Sequence, residues 1–389
     1  MDPHEFVAPE AGRVVVVPPT GYLAFVPAPL PPDLTYDASL VALLSRADAA
    51  LGELAGRGAQ LPNAHLLISP YLRREAVLSS RIEGTQASLS DIMQEEAGVR
   101  PPDADIQEVR NYVTALEYGL RRRTELPLSL RLVREMHEQL MQGVRGEHAT
   151  PGQFRRSQNW INGSTPDNAT YVPPPPDEMQ VSLADWEQFL HWRGDMPELV
   201  QCALIHEQFE AIHPFLDGNG RIGRLLIPLF LVERGRLSQA LLYLSAYFES
   251  NREEYYRLLQ RVRTHGDWNS WIRFFLRAVE VTARAAETQS QRLLTLREEF
   301  RAYLAGNARA LALVDNLFVN PYTTIKRASN DLGSSTNTAR RAIQNLIDAG
   351  IVEEVTGRSW GRAYFAHPIM AAIEDTPTES APVEDPPAG

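Results

Sequence analysis

The sequence predicts a mostly α-helical protein that carries a small β-hairpin flap and ends in a winged helix-turn-helix domain. Apolar residues recur at three- and four-residue spacing through most of the chain, which is the period of amphipathic helices. Residues 151–176 replace that pattern with Gly, Asn and Pro around short β-prone pieces, and we call them the flap. From about residue 310, three short helical patterns precede two β-prone pieces, which is the order of a winged helix-turn-helix.

The composition indicates a globular protein with substantial cores. Of 389 residues, 44% are hydrophobic and 22% are charged, and this length suggests two or three domains. The net charge of −11 argues against an overall basic surface for nucleic acid or anionic lipid, although it leaves room for a local basic patch. The one cysteine, Cys202, excludes a disulfide framework. Without a signal peptide or a run of about 20 apolar residues, we expect a cytoplasmic protein with no membrane partner.

Shifts in composition divide the chain into five predicted regions. The first begins with a proline-rich stretch, residues 1–33, for which we expect extended or polyproline-like chain. The last is acidic and rich in proline, so we expect it to be disordered. The regions are an N-terminal region at 1–104, a helical core at 105–280, a connecting helix at 281–307, the winged helix-turn-helix at 308–368, and the tail at 369–389. Helices are expected at about 38–55, 71–82, 105–122 and 127–142.

The most informative segment is residues 213–224, HPFLDGNGRIGR. Gly218 and Gly220 flank Asn219 just before a strongly apolar helix. Backbone N–H groups can therefore turn toward one point at the positive end of the helix dipole. A phosphate is the natural occupant of such a nest.

Four side chains around this nest fit phosphate chemistry. Arg221 and Arg224 are three residues apart on the helix, so both guanidinium groups can reach successive phosphates. Asp217 is a hard oxygen ligand suited to Mg²⁺, and His213 can accept a proton near neutral pH. A single His-Pro or Gly-Asn-Gly is usually structural, but the combination predicts a phosphate-binding site.

The same segment resembles the signature of Fic-domain proteins, His-Pro-Phe-x-Asp-Gly-Asn-Gly-Arg-x-x-Arg, at every specified position. The resemblance extends over roughly residues 15–280 and implies an all-α Fic core. In that family the histidine deprotonates a target hydroxyl, which attacks the α-phosphate of ATP and expels pyrophosphate. The resemblance therefore implies a protein adenylyltransferase with ATP as co-substrate and Mg²⁺, acting on a Ser, Thr or Tyr hydroxyl of a target protein or of itself.

Site residues follow from the resemblance position by position. His213 is the expected base, Asp217 the Mg²⁺ ligand, and Phe215 a core anchor for the loop. The amides of Gly218, Asn219 and Gly220, with the Asn219 side chain, are expected to cradle the phosphates, while Arg221 and Arg224 neutralise the β- and γ-phosphates. Positions near the nucleoside are Asn251, Tyr255 and Tyr256, although a tyrosine pair on an amphipathic helix is usually core. Target-binding flap positions are Trp160, Ile161, Tyr171 and Val172.

Residues 79–84 resemble the Ser/Thr-x-x-x-Glu-Gly/Asn inhibitory motif of autoinhibited (class II) Fic proteins, through Ser79, Glu83 and Gly84. Taken alone, this pattern would be a solvated helix end. Upstream of a complete Fic signature, it implies that Glu83 forms a bidentate pair with Arg224 and so competes with the γ-phosphate of ATP. We expect Ser79 to orient the glutamate. We call residues 79–84 the inhibitory segment.

The C-terminal module leaves two uses open. Within residues 323–350 a helix, a turn and a second helix follow one another, and the second carries Arg340 and Arg341 behind a cap at Ser335 or Thr336. The presumed wing contains Arg358, Trp360 and Arg362, where phosphate contacts would fall if the module binds DNA. Winged helices also dock proteins or form homodimers.

Three functional alternatives stay open at this point. A transferase could also run in reverse, removing AMP with a water that Glu83 directs. UTP or a phosphocholine carrier could replace ATP as the donor. From another functional class, the chain could be a nucleotide-sensing, DNA-binding transcription regulator without turnover, but an intact His213 favours the enzyme because a sensor needs no base.

Overall fold

The computed structural model describes residues 1–60, 65–144 and 150–374. The chain forms two compact units, Met1–Arg284 and Ala285–Gly389. The first unit includes the N-terminal region that we set apart at residue 104. Within the described ranges, every helix is too short or too polar to cross a bilayer.

The first unit is built from helices around one two-stranded sheet. Its strands are β1 (Gly12–Val17) and β2 (Tyr22–Pro27). Its helices are α1 (Ala38–Gln60), α2 (His65–Ile82), α3 (Leu89–Glu96), α4 (Ala104–Arg122), α5 (Leu130–Leu140), α6 (Pro176–Leu190), α7 (Glu198–Ile212), α8 (Asn219–Glu233), α9 (Ser245–Ser250) and α10 (Arg252–His265), and α11 (Trp268–Tyr303) begins here.

The proline-rich start forms a β-hairpin, so its chain is extended there, which was one of the two expected forms. β1 and β2 pair antiparallel from Gly12↔Pro27 to Val17↔Tyr22. Pro18 and Pro19 lie in the turn, where they remove no ladder hydrogen bond, and the valines of β1 favour a strand. The hairpin packs on the flap, since the Phe25 ring lies 6.2 Å from that of Tyr171.

Helix positions agree with the sequence pattern better than helix ends do. α4 lies within one residue of its predicted bounds, whereas α1 runs five residues further, to Gln60. α2 begins at His65, so that Pro70 lies inside the helix and not at its start. α5 begins after Ser129, whose hydroxyl accepts a hydrogen bond from the Leu132 amide.

Helices α7 and α8 form the centre of this unit. Every residue of α7 from Leu199 to Ile212 is buried, and α8 is buried from Arg221 to Val232. These two helices pack against each other. The polar loop between them, residues 213–218, is therefore held at both ends by core helices.

The flap contains less β-structure than predicted. Its two sides meet in one antiparallel bridge, Ile161↔Tyr171, and its tip is a 3₁₀ turn at Pro166–Asn168. The remaining residues are held by side-chain hydrogen bonds, such as that from Gln158 Nε2 to the Pro173 carbonyl.

The second unit combines short helices with a three-stranded sheet. Its elements are α12 (Ala308–Val319), β3 (Tyr322–Thr324), α13 (Ile325–Asp331), α14 (Thr336–Asp348), β4 (Glu353–Glu354), β5 (Ala363–Phe365) and α15 (His367–Glu374). The strands are antiparallel in the order β3-β5-β4. Ser335 caps α14, as one of the two predicted choices, by accepting from the Thr338 amide.

The first six residues of the predicted disordered tail are helical. Residues 369–374 belong to α15, because Ile369, Met370 and Ile373 bury one apolar face of that helix. Residues 375–389 lie outside the described part of the chain.

Candidate active site

The loop of residues 213–218 is closed by its own side chains. His213 ends α7 in the left-handed region, with φ 50°, and Gly218 begins α8 with φ 79°. Asn219 Oδ1 accepts from the Phe215 amide and Nδ2 donates to the Phe215 carbonyl, both at 2.8 Å. The Asn219 side chain is therefore engaged within the loop, contrary to the prediction that it cradles a phosphate, and the backbone amides at the start of α8 are left for that task.

His137 of α5 supports this loop by packing against it. This residue was not identified from the sequence. Its ring stacks on Phe215 with centroids 3.7 Å apart and planes 3° from parallel. Nδ1 accepts from the Gly152 amide, so Nε2 carries the hydrogen and donates to the Asp217 carbonyl at 3.0 Å. Burial lowers the pKa of His137 to about 4, which keeps the ring in this neutral form. Phe215 is completely buried, as an anchor should be.

His213 lies at the start of the loop as a neutral imidazole. Burial lowers its pKa to about 4, and the nearby cations Arg155 and Arg263 act in the same direction. Nδ1 lies 3.3 Å from the Glu210 carbonyl and donates to it, which leaves Nε2 as the acceptor. The side chain is therefore unprotonated at neutral pH, with Nε2 available to accept a proton from a hydroxyl group during a reaction.

Arg224 is fully engaged by the inhibitory segment. Its side chain is 2% exposed and donates from Nε to Ser79 Oγ at 2.8 Å, and from Nη2 to Ser79 O at 3.0 Å and Glu83 Oε1 at 2.6 Å. The pair is thus monodentate, not bidentate, because Ser79 takes the second edge of the guanidinium. Ser79 orients the arginine and not the glutamate, which corrects the prediction.

The Glu83 carboxylate lies against the start of α8. A Cβ at Gly220 would come within 2.3 Å of Glu83 Oε1, so only glycine leaves room for this contact. Arg224 outweighs the burial of the carboxyl group, and the pKa of Glu83 is lowered as a result. Gly84 follows with φ 98° and ends the helical stretch.

Arg221 has a different environment, although it lies one turn away on the same helix. It is 4% exposed, with Nη1 3.7 Å from Glu108 Oε2 and Nη2 3.6 Å from Asp217 Oδ1. Among the described residues, its Nε and Nη1 have no hydrogen-bond partner. These buried donors can still take the oxygens of an anion.

Asp217 can supply one ligand to a divalent cation. Its side chain is half exposed, and Oδ1 accepts from the Gly218 amide at 2.6 Å. In the described part of the chain, no three His, Cys, Asp or Glu side chains are grouped to hold a metal ion by themselves. Mg²⁺ in particular is commonly bound through one or two carboxylates together with substrate phosphates and water, and one carboxylate is what Asp217 offers.

The two tyrosines expected near a nucleoside have different positions. Tyr255 is 1% exposed, and its hydroxyl donates to Nε2 of the buried His206 at 2.9 Å. It is therefore a core residue in this structure, and its place near a nucleoside stays a prediction. Tyr256 is 43% exposed, with the Arg252 guanidinium 5.9 Å from its ring centroid, while Asn251 Nδ2 donates to the Tyr247 carbonyl.

The four flap positions also separate into two pairs. Trp160 is 38% exposed and Ile161 is half-buried, whereas Tyr171 and Val172 are buried. The Tyr171 carbonyl accepts from the Ile161 amide and the Val172 carbonyl from the Phe25 amide, both at 2.8 Å. Tyr171 and Val172 are therefore part of the buried scaffold, whereas residues 160–162 form the more exposed side of the flap, which we call its open edge.

Two family models match the chain. Residues 127–231 match the Fic/DOC family, and residues 41–121 match the Fic/DOC family N-terminal region. The chain therefore contains a Fic domain, preceded by the N-terminal region of the same family. The Fic-domain match ends in α8, so it contains the whole of residues 213–224.

Two curated relatives and one solved structure are similar to this Fic protein. It is 30% identical over 186 residues to a probable protein adenylyltransferase of Aquifex aeolicus, covering 46% of this chain and 54% of that protein. It is 28% identical over 160 residues to the protein adenylyltransferase Fic of Drosophila willistoni, covering 41% and 29%. The chain thus spans about half or less of these relatives. The crystal structure of a Fic family protein from Desulfovibrio desulfuricans G20 shares the fold, with a TM-score of 0.55 and 24% identity over 87% of this chain and 98% of that chain.

Proposed function

We propose that this Fic protein is a protein adenylyltransferase that is held in check by its own inhibitory segment. One observation carries the proposal. Arg224 lies in the first turns of α8, whose N-terminal backbone amides form the phosphate nest. Its guanidinium is bonded to Ser79 and Glu83 of the same chain. Curated relatives carry the name protein adenylyltransferase, which supports the same reaction class.

In the proposed reaction, Nε2 of His213 removes the proton from a target Ser, Thr or Tyr hydroxyl. The hydroxyl oxygen then bonds to the α-phosphorus of ATP, and the bond to the bridging oxygen breaks, so that pyrophosphate leaves. Arg221 binds the polyphosphate through its unpaired donors, and Arg224 joins it when Glu83 withdraws.

Asp217 would hold Mg²⁺, which neutralises charge on the phosphates when it is bound. Asp217→Asn should remove the Mg²⁺ dependence of ATP binding, measured by calorimetry with and without the metal. If the variant keeps the wild-type dependence, Asp217 is not the ligand.

The test of the whole proposal uses the Glu83→Gly variant with α-labelled ATP, and separately with labelled UTP, CTP and GTP. We expect AMP label on the protein itself and on proteins of a lysate. The double variant Glu83→Gly/His213→Ala is the matched control and should carry no label. Absence of label from every nucleotide would reject nucleotidyl transfer, and label from UTP alone would change the donor.

We also infer that the second unit contains a winged helix-turn-helix that binds duplex DNA. In α14 the exposed side chains include Asn337, Arg340, Arg341 and Gln344, which are types that contact bases and phosphates. On the β4–β5 loop, Arg358 and Arg362 are exposed, as is Trp360 at 86%. Binding of the full chain to duplex DNA should weaken steeply with salt and be lost in Arg340→Ala/Arg341→Ala. Lack of binding at low salt would favour a protein-docking role.

A regulator without turnover is the weaker alternative, because the relatives are named as transferases and His213 is intact. Homodimerisation, removal of AMP by the reverse reaction and a cytoplasmic location stay predictions.

A further inference from the structure

Five consecutive backbone carbonyls, from Ala211 to Phe215, accept hydrogen bonds from the flap. They belong to the last turn of α7 and to the loop that begins with His213, where a helix leaves carbonyl groups without intrahelical partners. The donors come from only three residues of the flap: Tyr171, Arg155 and Asn159.

Arg155 provides three of these five contacts. Its Nε donates to the His213 carbonyl at 2.9 Å, its Nη2 to the Ile212 carbonyl at 3.4 Å, and its backbone amide to the Pro214 carbonyl at 2.9 Å. The Arg155 side chain is buried, and no ion pair with a carboxylate is found for it within the described ranges. A cation at the C-terminus of a helix is stabilised by the helix dipole, which explains how this charge is tolerated.

The same guanidinium also holds both sides of the flap. Nη1 donates to the Ser157 carbonyl, before the bridge, and Nη2 to the Pro174 carbonyl, after it. One planar, forked group is therefore bonded at once to the two sides of the flap and to the residue that carries the base. Lysine could not bond to all of these backbone carbonyls, because they lie in different directions and its ammonium group donates from one nitrogen atom.

We propose that Arg155 is a positioning residue that fixes the open flap edge, residues 160–162, relative to the imidazole of His213. A target strand that pairs with this edge is thereby held at a set distance from the base. Asn159 assists, since its Nδ2 donates to the Phe215 carbonyl at 2.8 Å. This inference rests on the proposed transfer of AMP to a protein hydroxyl, and it adds how the target is aligned.

The charge of Arg155 has a second, separable effect on His213. The charged groups that face the imidazole are Arg155 from the flap, Arg263 from α10 and Glu83 just after α2. The two arginines lower the pKa of His213 and Glu83 raises it, in addition to the lowering by burial. Replacing Arg155 by a neutral residue should therefore raise the pKa of His213, and replacing it by lysine should not.

The test compares Arg155→Gln, Arg155→Lys and the neighbouring Arg156→Gln, all in the Glu83→Gly background. Arg156 is exposed, so it is the matched control for loss of one arginine at this point of the chain. We expect kcat for protein modification to fall at least tenfold in both Arg155 variants, with Kd for ATP within twofold of the parent. The acidic limb of the pH profile should move to higher pH in Arg155→Gln only. Arg156→Gln should behave as the parent.

Unchanged kcat in Arg155→Gln would overturn the inference, and so would a fall in ATP affinity that matches the fall in kcat. If Arg155→Gln does not fold, Asn159→Ala takes its place, because Asn159 is only half-buried. It should lower kcat severalfold without changing Kd for ATP, and an unchanged kcat there would likewise reject the inference.

Titration of the His213 ring by NMR, assigned with His213→Ala, needs no catalytic activity. A parent protein that transfers no label would reject the proposed function, whereas the titration still decides whether Arg155 acts on His213. A ring pKa that is equal in Arg155→Gln and the parent would reject that action.

Discussion

Arg221 and Arg224 lie one turn apart on α8 and are both buried, but their surroundings differ. Arg224 donates three hydrogen bonds to Ser79 and Glu83, all on or just after α2. Arg221 has carboxylates only at 3.6 and 3.7 Å, and two of its nitrogens have no hydrogen-bond partner in the described ranges. The site is thus occupied by the chain's own side chains at Arg224, which we call its closed side, whereas Arg221 keeps donors for a ligand.

This difference explains what a polyphosphate would gain and lose on binding. Leaving a buried donor unsatisfied costs about 1–3 kcal/mol, which phosphate oxygens at Arg221 would recover. At Arg224 the ligand must first displace the Glu83 carboxylate, whose side chain is 35% exposed and can move outward. A polyphosphate is therefore expected to bind to Arg221 alone more readily than to Arg221 and Arg224 together.

The largest expected effect distinguishes the catalytic role of His213 from the phosphate-binding role of the two arginines. His213→Ala in the Glu83→Gly background should lower transfer about 100-fold to 10,000-fold, the usual contribution of a general base. ATP affinity, measured by calorimetry, should stay within twofold, because no phosphate contact is removed. If ATP binding falls with the rate, the division between binding arginines and a catalytic histidine is wrong.

Opening the closed side should have the next largest effect. Glu83→Gly frees a charge-assisted hydrogen bond, which typically contributes about 1.5–3 kcal/mol. Because Glu83 is partly exposed, we expect the lower end of that range, an increase in self-modification of about tenfold. The gain should disappear in Glu83→Gly/Arg224→Ala, and equal labelling of wild type and Glu83→Gly would show that the contact does not inhibit.

A smaller activation should follow from Gly220→Ala. The added methyl group would meet Glu83 Oε1 at 2.3 Å and push the flexible carboxylate away, while the backbone amide remains. We expect an increase of about twofold to fivefold in the wild-type background and no further increase in Glu83→Gly, because both changes act on one contact. A decrease in both backgrounds would mean that the methyl group obstructs the ligand itself.

The smallest expected effect is in the pH profile of Glu83→Gly. Since the pKa of His213 is lowered to about 4, the imidazole stays neutral as the pH falls from 8 to 6. Removing Glu83, whose charge raises that pKa, moves the acidic limb further down. The rate should change little over this range, whereas an unshifted histidine of pKa about 6.5 would lose about fourfold. A fourfold fall by pH 6 would show that the environment of His213 is more polar than its burial indicates.

Local spacing was enough to predict the core of the site. Two arginines three residues apart share a helix face, and His213 and Gly218 mark the ends of two apolar helices, so these positions follow from helix geometry. The contact between Glu83 and Arg224 spans 141 residues and was predicted from the resemblance alone. The geometry of this contact was not predicted, since nothing in the motif shows that Ser79 occupies the second edge of the guanidinium.

Contacts with backbone carbonyls could not be predicted. Arg155 and His137 bind carbonyls far along the chain, and every residue has a carbonyl, so the sequence carries no signal for the partner. Phe25 and Val172 are further apart along the chain, and their backbone hydrogen bond was unpredictable for the same reason. Helix geometry does explain why the two tyrosines differ in exposure: neighbours on a helix point about 100° apart, so Tyr255 and Tyr256 face different surroundings.

The order of Glu83 and Arg224 along the chain has a consequence for biosynthesis. A ribosome adds about 5–20 residues per second, so the 141 residues that separate them take roughly 7–28 s to make. α2 and its carboxylate have therefore left the exit tunnel before α8 is complete. Arg224 can therefore contact Glu83 as soon as α8 folds. A newly made molecule need not pass through a state in which the site around Arg224 is folded and the Glu83 carboxylate is still missing.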